Sequence, residues 1–150
     1  MEQTERTIRG SNCLIIGFGR IGGVLARMMA GLGAEVTVSA RKPEHFSWCD
    51  VNGWNKADTR ALDGKLGGFD IIFNTVPHLV LDAALLAQLK TGALVIDLAS
   101  SPGGVDFAAA KKRGVNCRWA LSLPGKVAPE SAAVILRDTV YQIIKEDAGI

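Results

Sequence analysis

Short apolar runs alternate with helix-like repeats along most of this chain. Runs that predict buried strands occupy residues 12–16, 35–39, 51–54, 69–74, 93–98 and 115–120. Between several of them, apolar residues recur at three- and four-residue spacing, which is typical of amphipathic helices. The first such stripe is expected to pack in the core, and it consists of Ile21, Val24, Leu25, Met28, Met29 and Leu32.

Capping residues indicate where the helices begin and end. Gly33 would end the first helix, while Asp58 and Asp106 stand where two later helices would begin. These later helices are predicted over residues 58–66, 82–90, 107–113 and 129–146. Because strands and helices alternate through short crossovers, we predict an α/β protein with a doubly wound parallel sheet of the Rossmann type. Its six strands are expected in the order 3-2-1-4-5-6, with helices on both faces.

A glycine-rich turn joins the first predicted strand to the first helix. Gly17, Gly19 and Gly22 fit the pattern G-x-G-x-x-G. In this pattern the first glycine permits a tight turn, the second lets the backbone approach a pyrophosphate, and the third lets helix and strand pack closely. The N–H groups at the start of the helix would face the phosphates. The turn therefore predicts dinucleotide binding, with a purely structural turn as the alternative.

The residues after the second predicted strand bear on which dinucleotide binds. An NAD site usually has an acidic residue here for the ribose 2′-hydroxyl, whereas this chain continues Ser-Ala-Arg-Lys. Arg41 offers a planar fork for a 2′-phosphate, Lys42 a second charge and Ser39 a hydroxyl donor. NADP is therefore predicted over NAD, and the missing acid also argues against S-adenosylmethionine. In the alternative, Arg41 and Lys42 are a solvated pair of loop residues.

The loop after the fourth predicted strand would reach the same edge of the sheet, beside the glycine turn. Asn74 and Thr75 could hydrogen-bond a ribose there. Val76 and Pro77 would pack along the cofactor. His78 is either a proton carrier or, as a lone loop histidine more often is, part of the polar surface.

The segment after the fifth predicted strand is rich in small residues. Gly103 and Gly104 follow Pro102, and their amides would either face a ligand or bend away from it. Residues 123–126, after the sixth strand, would reach the nicotinamide end of the cleft. Dehydrogenases of this build hold their substrate against a second domain, and these residues do not supply that opposing wall.

Composition and charge exclude several other classes of function. The 150 residues carry 17 basic and 15 acidic side chains, and a net charge of +2 gives no basis for binding nucleic acid or an anionic membrane. No apolar run approaches the ~20 residues that span a bilayer, and residues 1–10 are polar, so a cytoplasmic location is expected. The cysteines, Cys13, Cys49 and Cys117, lack metal-ligand spacing and are expected to be reduced and buried, without a metal site. His45 is expected on the surface.

Two loop sequences carry a resemblance to a known family. Residues 97–107 read DLASSPGGVDF and residues 123–129 read LPGKVAP. Together with the glycine turn and the sequence NTVP at residues 74–77, they resemble the C-terminal half of the dipicolinate synthase A subunit, over residues 10–145. More distantly, the chain is similar to the nucleotide domains of D-2-hydroxyacid dehydrogenases and adenosylhomocysteinase, which share the layout but not these sequences.

The resemblance implies an oxidoreductase of spore-forming bacteria that works with a flavoprotein-like B subunit. Such an enzyme would oxidise a dihydrodipicolinate-type dicarboxylate to dipicolinate, with NADP as the hydride acceptor. By this analogy the 2′-phosphate contacts Ser39 and Arg41, and residues 74–77 contact the adjacent ribose. The pyrophosphate would contact Gly17, Gly19, Arg20 and Ile21. The substrate side of the cleft would be formed by Ser101, Pro102, Gly103, Gly104, Pro124 and Gly125.

The family's N-terminal half has no counterpart in this sequence. Residues 1–10 are therefore expected to be a leader or the end of a linking helix, and residues 11–150 the dinucleotide-binding domain, without a substrate domain. The last helix is either a strut toward that domain or packed on its own sheet. No catalytic residue can be assigned. The alternatives are a stand-alone dinucleotide-binding module and the nucleotide domain of a 2-hydroxyacid dehydrogenase-like enzyme, and the oligomeric state, a homo-oligomer included, is left open.

Overall fold

A six-stranded parallel sheet organises the part of the protein that the structure describes. The structure, a computed structural model, describes residues 7–121. The strands of its sheet are β1 (Asn12–Ile16), β2 (Glu35–Ala40), β3 (Asn55–Asp58), β4 (Ile71–Asn74), β5 (Leu94–Asp97) and β6 (Asn116–Trp119). They lie in the order β3-β2-β1-β4-β5-β6, and every neighbouring pair is parallel. The predicted fold class and strand order are thereby confirmed.

Helices cover both faces of this sheet, as predicted. They are α1 (Arg20–Gly31), α2 (Pro43–Asn52), α3 (Ala83–Leu86) and α4 (Phe107–Lys112), and a 3-10 turn lies at Leu66–Gly68. Successive side chains of a strand point to opposite faces, so β1 contributes to two cores. Cys13 and Ile15 pack with α1 and α2 side chains, and Leu14 and Ile16 pack with those of α3 and α4.

The helix that follows the glycine turn buries a different face from the one predicted. Its buried residues are Gly22, Ala26 and Met29. Four members of the predicted stripe are instead 50–59% exposed, and they are Ile21, Val24, Met28 and Leu32. A Cβ atom at Gly22 would collide with the carbonyl oxygen of Gly17. The close approach of α1 to its turn therefore favours the face that carries Gly22 and Ala26, and this face shares Met29 with the predicted stripe.

The segment between β2 and β4 departs furthest from prediction. Residues 51–52 end α2 rather than begin a strand, β3 follows at residues 55–58, and no helix spans 58–66. Pro43 in the first turn and Gly53 with a φ of +69° mark the ends of α2. Its only fully buried residue is Cys49, so the helix has no apolar stripe for periodicity to detect. Asp58 accordingly caps no helix.

The predicted strands from residue 69 onward and the predicted helices over 82–90 and 107–113 are confirmed with shorter bounds. Gly33 follows the end of α1 with a φ of +84°. The side chains of Asp82 and Asp106 accept backbone N–H bonds at the starts of α3 and α4, and α3 is only four residues long. Within residues 7–121 no helix is long and apolar enough to cross a membrane. The predicted helix over 129–146, like most of the predicted leader, lies outside the described residues.

Candidate functional site

A cavity of about 780 Å³ opens where the carboxyl ends of β1, β2 and β4 meet the following loops. This is the point at which the strand order reverses, where ligands bind in doubly wound sheets. The residues that line it are Gly17, Phe18, Gly19, Arg20, Ile21, Ala40, Arg41, Lys42, His45, Thr59, Thr75, Val76, Pro77 and His78. The structure thus brings the glycine turn, the basic residues after β2 and the loop after β4 to one cavity.

The glycine turn is tightly packed on one side and open on the other. Gly17 has a φ of +96°, its N–H donates to the Ser39 carbonyl at 2.8 Å, and a Cβ atom there would lie 2.9 Å from the Val76 side chain. Gly19, by contrast, has no atom within 4 Å of the place where its Cβ would be. No side chain caps the start of α1, so its first N–H groups remain for an anion. The turn therefore fits a pyrophosphate.

The cationic residues after β2 line the cavity, but the predicted hydroxyl does not. Ser39 is fully buried, and its hydroxyl hydrogen-bonds that of Thr59 at 2.8 Å. Thr59 thus lines the cavity where Ser39 was expected. Lys42 pairs with the exposed Glu44 at 3.3 Å, which is a weak interaction in solvent. Within residues 7–121, the Arg41 guanidinium makes no ion pair or hydrogen bond, so it can accept an anionic ligand without breaking an existing contact.

An aromatic contact places a histidine in the cavity wall. The ring of Phe18, between the first two motif glycines, meets the His45 ring edge to face at 5.4 Å, and that of Trp54 at 6.2 Å. His45, which was expected on the surface, is half-buried and lines the cavity. Sequence reasoning also missed Phe18, Ala40 and Thr59. The position of Phe18 inside the glycine motif could have signalled its role, whereas Thr59 follows a strand that the sequence misplaced.

Asn74 lies beneath the cavity rather than on its surface. It is fully buried, and its side-chain amide donates to Asp97 Oδ1 at 2.8 Å and to the Val76 carbonyl at 2.9 Å. Its side-chain oxygen accepts the Val76 N–H at 3.2 Å. The hydroxyl of Thr75 likewise donates inward, to the Ile16 carbonyl at 2.9 Å, although Thr75 lines the cavity. These side chains shape the loop after β4, and Asn74 offers no free group to a ribose.

The carboxylate of Asp97 joins two loops at the edge of the sheet. It is fully buried at the end of β5, where Oδ1 also accepts the Ala99 N–H at 3.0 Å and Oδ2 accepts the Gly104 N–H at 2.8 Å. The Gly104 carbonyl in turn accepts the N–H groups of Val80 at 3.0 Å and Leu81 at 2.9 Å. The loops that follow β4 and β5 therefore form one hydrogen-bonded unit around a buried charge.

The predicted substrate side of the cleft is not part of this cavity. Gly103 and Gly104 are buried, and their amides donate to Ser100 and Asp97, so they bend away from any ligand. Ser101 and Pro102 are exposed on the same loop, but neither they nor the two glycines line the cavity. Pro124 and Gly125 lie outside the described residues. A role for this loop in substrate binding stays a prediction.

Several ionisable side chains of the described residues have shifted pKa values. A hydrogen bond from the Arg60 side chain lowers the pKa of Asp58 to about 2, so the carboxylate beside Thr59 is already paired with a cation. Burial raises the pKa of Cys13 to about 12, and burial together with the Asp97 charge raises that of Cys117 to about 11. All three thiols are free. No group of three or more metal-ligand side chains occurs within residues 7–121.

Known proteins resemble this chain in sequence and in fold. The chain is 37% identical to the dipicolinate synthase A subunit of Bacillus subtilis over 97% of its length. The crystal structure of that protein superposes with a TM-score of 0.92, and that of its Bacillus halodurans counterpart, 39% identical over 95% of this chain, with 0.91. The chain spans about half of each relative, 49% of its length. The predicted resemblance is confirmed.

A more distant solved structure shares the fold, and a family model identifies the family. D-lactate dehydrogenase from Escherichia coli is 20% identical over 77% of this chain and 38% of its own, with a TM-score of 0.65. The family model described as "D-isomer specific 2-hydroxyacid dehydrogenase, NAD binding domain" matches residues 1–105, which include the glycine turn and the cavity. The chain therefore belongs to the NAD-binding domain family of the D-isomer-specific 2-hydroxyacid dehydrogenases.

Proposed function

We propose that this chain binds NADP in preference to NAD and is the nucleotide domain of an oxidoreductase resembling the dipicolinate synthase A subunit. The observation that carries the choice of NADP is the unpaired guanidinium of Arg41 at the cavity wall. It follows β2, where an NAD-specific site would have an acidic residue for the 2′-hydroxyl. A planar guanidinium binds phosphate through two parallel hydrogen bonds, so it favours the phosphorylated ribose.

Different residues of the cavity contact different parts of the dinucleotide. Gly17 and Gly19 bring the backbone to the pyrophosphate, and the first N–H groups of α1, from Arg20 and Ile21, face its charge. Val76 lies along the cavity wall with Pro77 and offers apolar contact to the cofactor. When bound, NADP supplies the nicotinamide carbon that accepts a hydride. The cavity residues bind and orient that group.

The reaction itself is proposed from the relatives. In an enzyme of the dipicolinate synthase type, hydride would leave a dihydrodipicolinate-type dicarboxylate, and the product ring would become aromatic. Since the chain spans about half of those relatives, the residues that close the substrate side of the cleft would come from a further domain. A flavoprotein-like B subunit would be the partner in dipicolinate formation. This reaction would take place in the cytoplasm during sporulation. The exposed Ser101 and Pro102 are the described residues of this chain proposed to meet the substrate.

The cofactor assignment is tested by calorimetric titration of the chain with NADP and NAD. Arg41→Ala is expected to weaken NADP binding by about 1–3 kcal/mol and to leave NAD binding unchanged, because only NADP carries the 2′-phosphate. Arg27→Ala is the matched control, since that exposed guanidinium makes no ion pair within the described residues and does not line the cavity. Equal losses for both nucleotides, or no loss of NADP binding in Arg41→Ala, would contradict the proposal.

A further inference from the structure

His45 is a cavity residue to which the contacts described so far give no role. It belongs to the first turn of α2, and its half-buried ring lines the same cavity as Arg41 and Lys42. Within residues 7–121 the ring makes no hydrogen bond or ion pair. Both ring nitrogens are thus uncommitted.

Packing rather than hydrogen bonding orients this ring. Phe18 meets it edge to face at 5.4 Å with an interplanar angle of 62°, and Phe18 is itself held against Trp54. The His45 backbone is also fixed, because its N–H donates to the Lys42 carbonyl at 3.1 Å and its carbonyl accepts from the Cys49 thiol at 3.2 Å. An imidazole held in this way is preorganised, so little rotamer entropy is lost when it binds a ligand.

The charges around His45 are mainly positive. The other ionisable side chains that line the cavity are Arg20, Arg41, Lys42 and His78. Glu44, the neighbour of His45 on α2, pairs with Lys42 at 3.3 Å. The remaining charged groups on α2 and around β3 are closed ion pairs, Lys56 with Asp50 at 2.6 Å and Arg60 with Asp58 at 2.7 Å. A dianionic phosphate beside Arg41 would therefore meet no unpaired carboxylate in the described residues.

We propose that His45 is a second ligand of the ribose 2′-phosphate, donating a hydrogen bond to a phosphate oxygen beside those of Arg41. This inference rests on the proposed NADP preference and adds a residue to it. The ring of His45 lines the same cavity as Arg41 and, among the described residues, makes no hydrogen bond or ion pair that a phosphate would have to break. The ligand class is a phosphate monoester on a nucleoside, and the 5′-linked pyrophosphate belongs to the glycine turn.

A histidine ligand gives phosphate binding a distinctive pH profile. An imidazole ordinarily changes charge between about pH 5 and pH 8, and a phosphate monoester acquires its second negative charge near pH 6. Binding that uses the imidazolium and the phosphate dianion together therefore depends on pH. It weakens at higher pH because the imidazole loses its proton. Arginine alone gives no such loss, because its guanidinium stays charged.

The test is a calorimetric titration of the chain with adenosine 2′,5′-bisphosphate and with 5′-AMP, from about pH 6.5 to about pH 8.5. The affinity for the bisphosphate is expected to fall about tenfold over this range, since a charge-assisted hydrogen bond is roughly twice as strong as a neutral one. The affinity for 5′-AMP is expected to stay constant. In His45→Gln the fall should disappear, while His78→Gln, the matched control from the same cavity, should retain it.

Each outcome separates this inference from the proposed function. A constant bisphosphate affinity in the wild-type chain, or a fall that survives in His45→Gln, overturns the role of His45. If the bisphosphate still binds more tightly than 5′-AMP and Arg41→Ala abolishes the difference, the NADP preference stands without His45. If the two ligands bind equally at every pH, the NADP preference fails, and the role of His45 fails with it.

Discussion

Replacing Asp97 by Asn tests whether the buried carboxylate joins the loops after β4 and β5. The substitution preserves shape but removes the charge and one acceptor. Asp97 accepts three described hydrogen bonds, from Asn74 Nδ2 and the Ala99 N–H at Oδ1 and from the Gly104 N–H at Oδ2. An asparagine has only one side-chain oxygen, so its NH₂ group must face at least one of these donors.

The cost follows from the better of the two amide orientations. With the oxygen in place of Oδ1, the bonds from Asn74 and Ala99 survive as neutral bonds, while the Gly104 N–H loses its acceptor. Losing a hydrogen bond to a charged group costs about 1.5–3 kcal/mol, and the two retained bonds weaken. Asparagine avoids the desolvation energy of a buried carboxylate, which offsets part of this cost. Asp97→Asn is therefore expected to lower the free energy of unfolding by about 2–4 kcal/mol.

Urea unfolding at neutral pH measures this change, and amide hydrogen exchange locates it. The Ala99 and Gly104 amides should exchange faster in Asp97→Asn, because both lose or weaken their acceptor. Asp106→Asn is the control, since Asp106 accepts a single N–H at the start of α4 and asparagine caps helices equally well. A loss below about 1 kcal/mol for Asp97→Asn, or unchanged exchange at both amides, would refute the reasoning.

Three further predictions concern packing, pH and the glycine turn. Gly104→Ala should lower the free energy of unfolding by about 1–3 kcal/mol in urea titrations, because its Cβ would lie 2.5 Å from the Val76 carbonyl oxygen; Gly31→Ala, with open space around it, should cause no loss. The free energy of unfolding should decline as pH rises from 9.0, the ordinary pKa of a thiol, toward about 12, the pKa of buried Cys13, because the unfolded chain releases the thiol proton first. In urea unfolding at several pH values, Cys13→Ala should show a smaller decline than the wild type. An equal decline in both proteins would contradict this prediction. Gly19→Asp should keep the melting temperature within a few degrees, since aspartate is a good N-cap, and should abolish dinucleotide binding in calorimetry; retained binding would contradict the site.

The fold could be predicted because the strands of this sheet are buried on both faces. Apolar runs such as that of β1, with glycines at the turns, leave few alternatives to a parallel sheet. The predicted elements were wrong where an element of the structure has no periodic pattern of apolar residues. β3 is a polar edge strand, and α2 buries only Cys49, so neither gives a periodic signal. The buried face of α1 depends on a backbone approach at Gly22 that no hydropathy pattern contains.

The parts of the candidate site that could be predicted are those set by residues close together in the sequence. The glycine turn and Arg41 are fixed by their distance from the ends of β1 and β2, so the sequence located them. His45 and Thr59 line the cavity because α2 begins at Pro43 and β3 ends at Asp58, and the sequence predicted neither boundary. Asn74 was expected to contact the ligand because a strand end normally faces the cleft. Its actual partner, Asp97, lies 23 residues further along the chain and is recognised only once the strands are paired.

The differing surroundings of the motif glycines have a consequence for how this sequence tolerates change. Gly17 and Gly22 are confined by neighbouring atoms, so a screen for folded protein would reject larger residues at both positions. Gly19 borders open space, and the same screen would accept many residues there. Selection for folding therefore preserves Gly17 and Gly22, and only selection for nucleotide binding preserves Gly19. Variation at Gly19 among related sequences would thus mark domains that have kept the architecture and abandoned the cofactor.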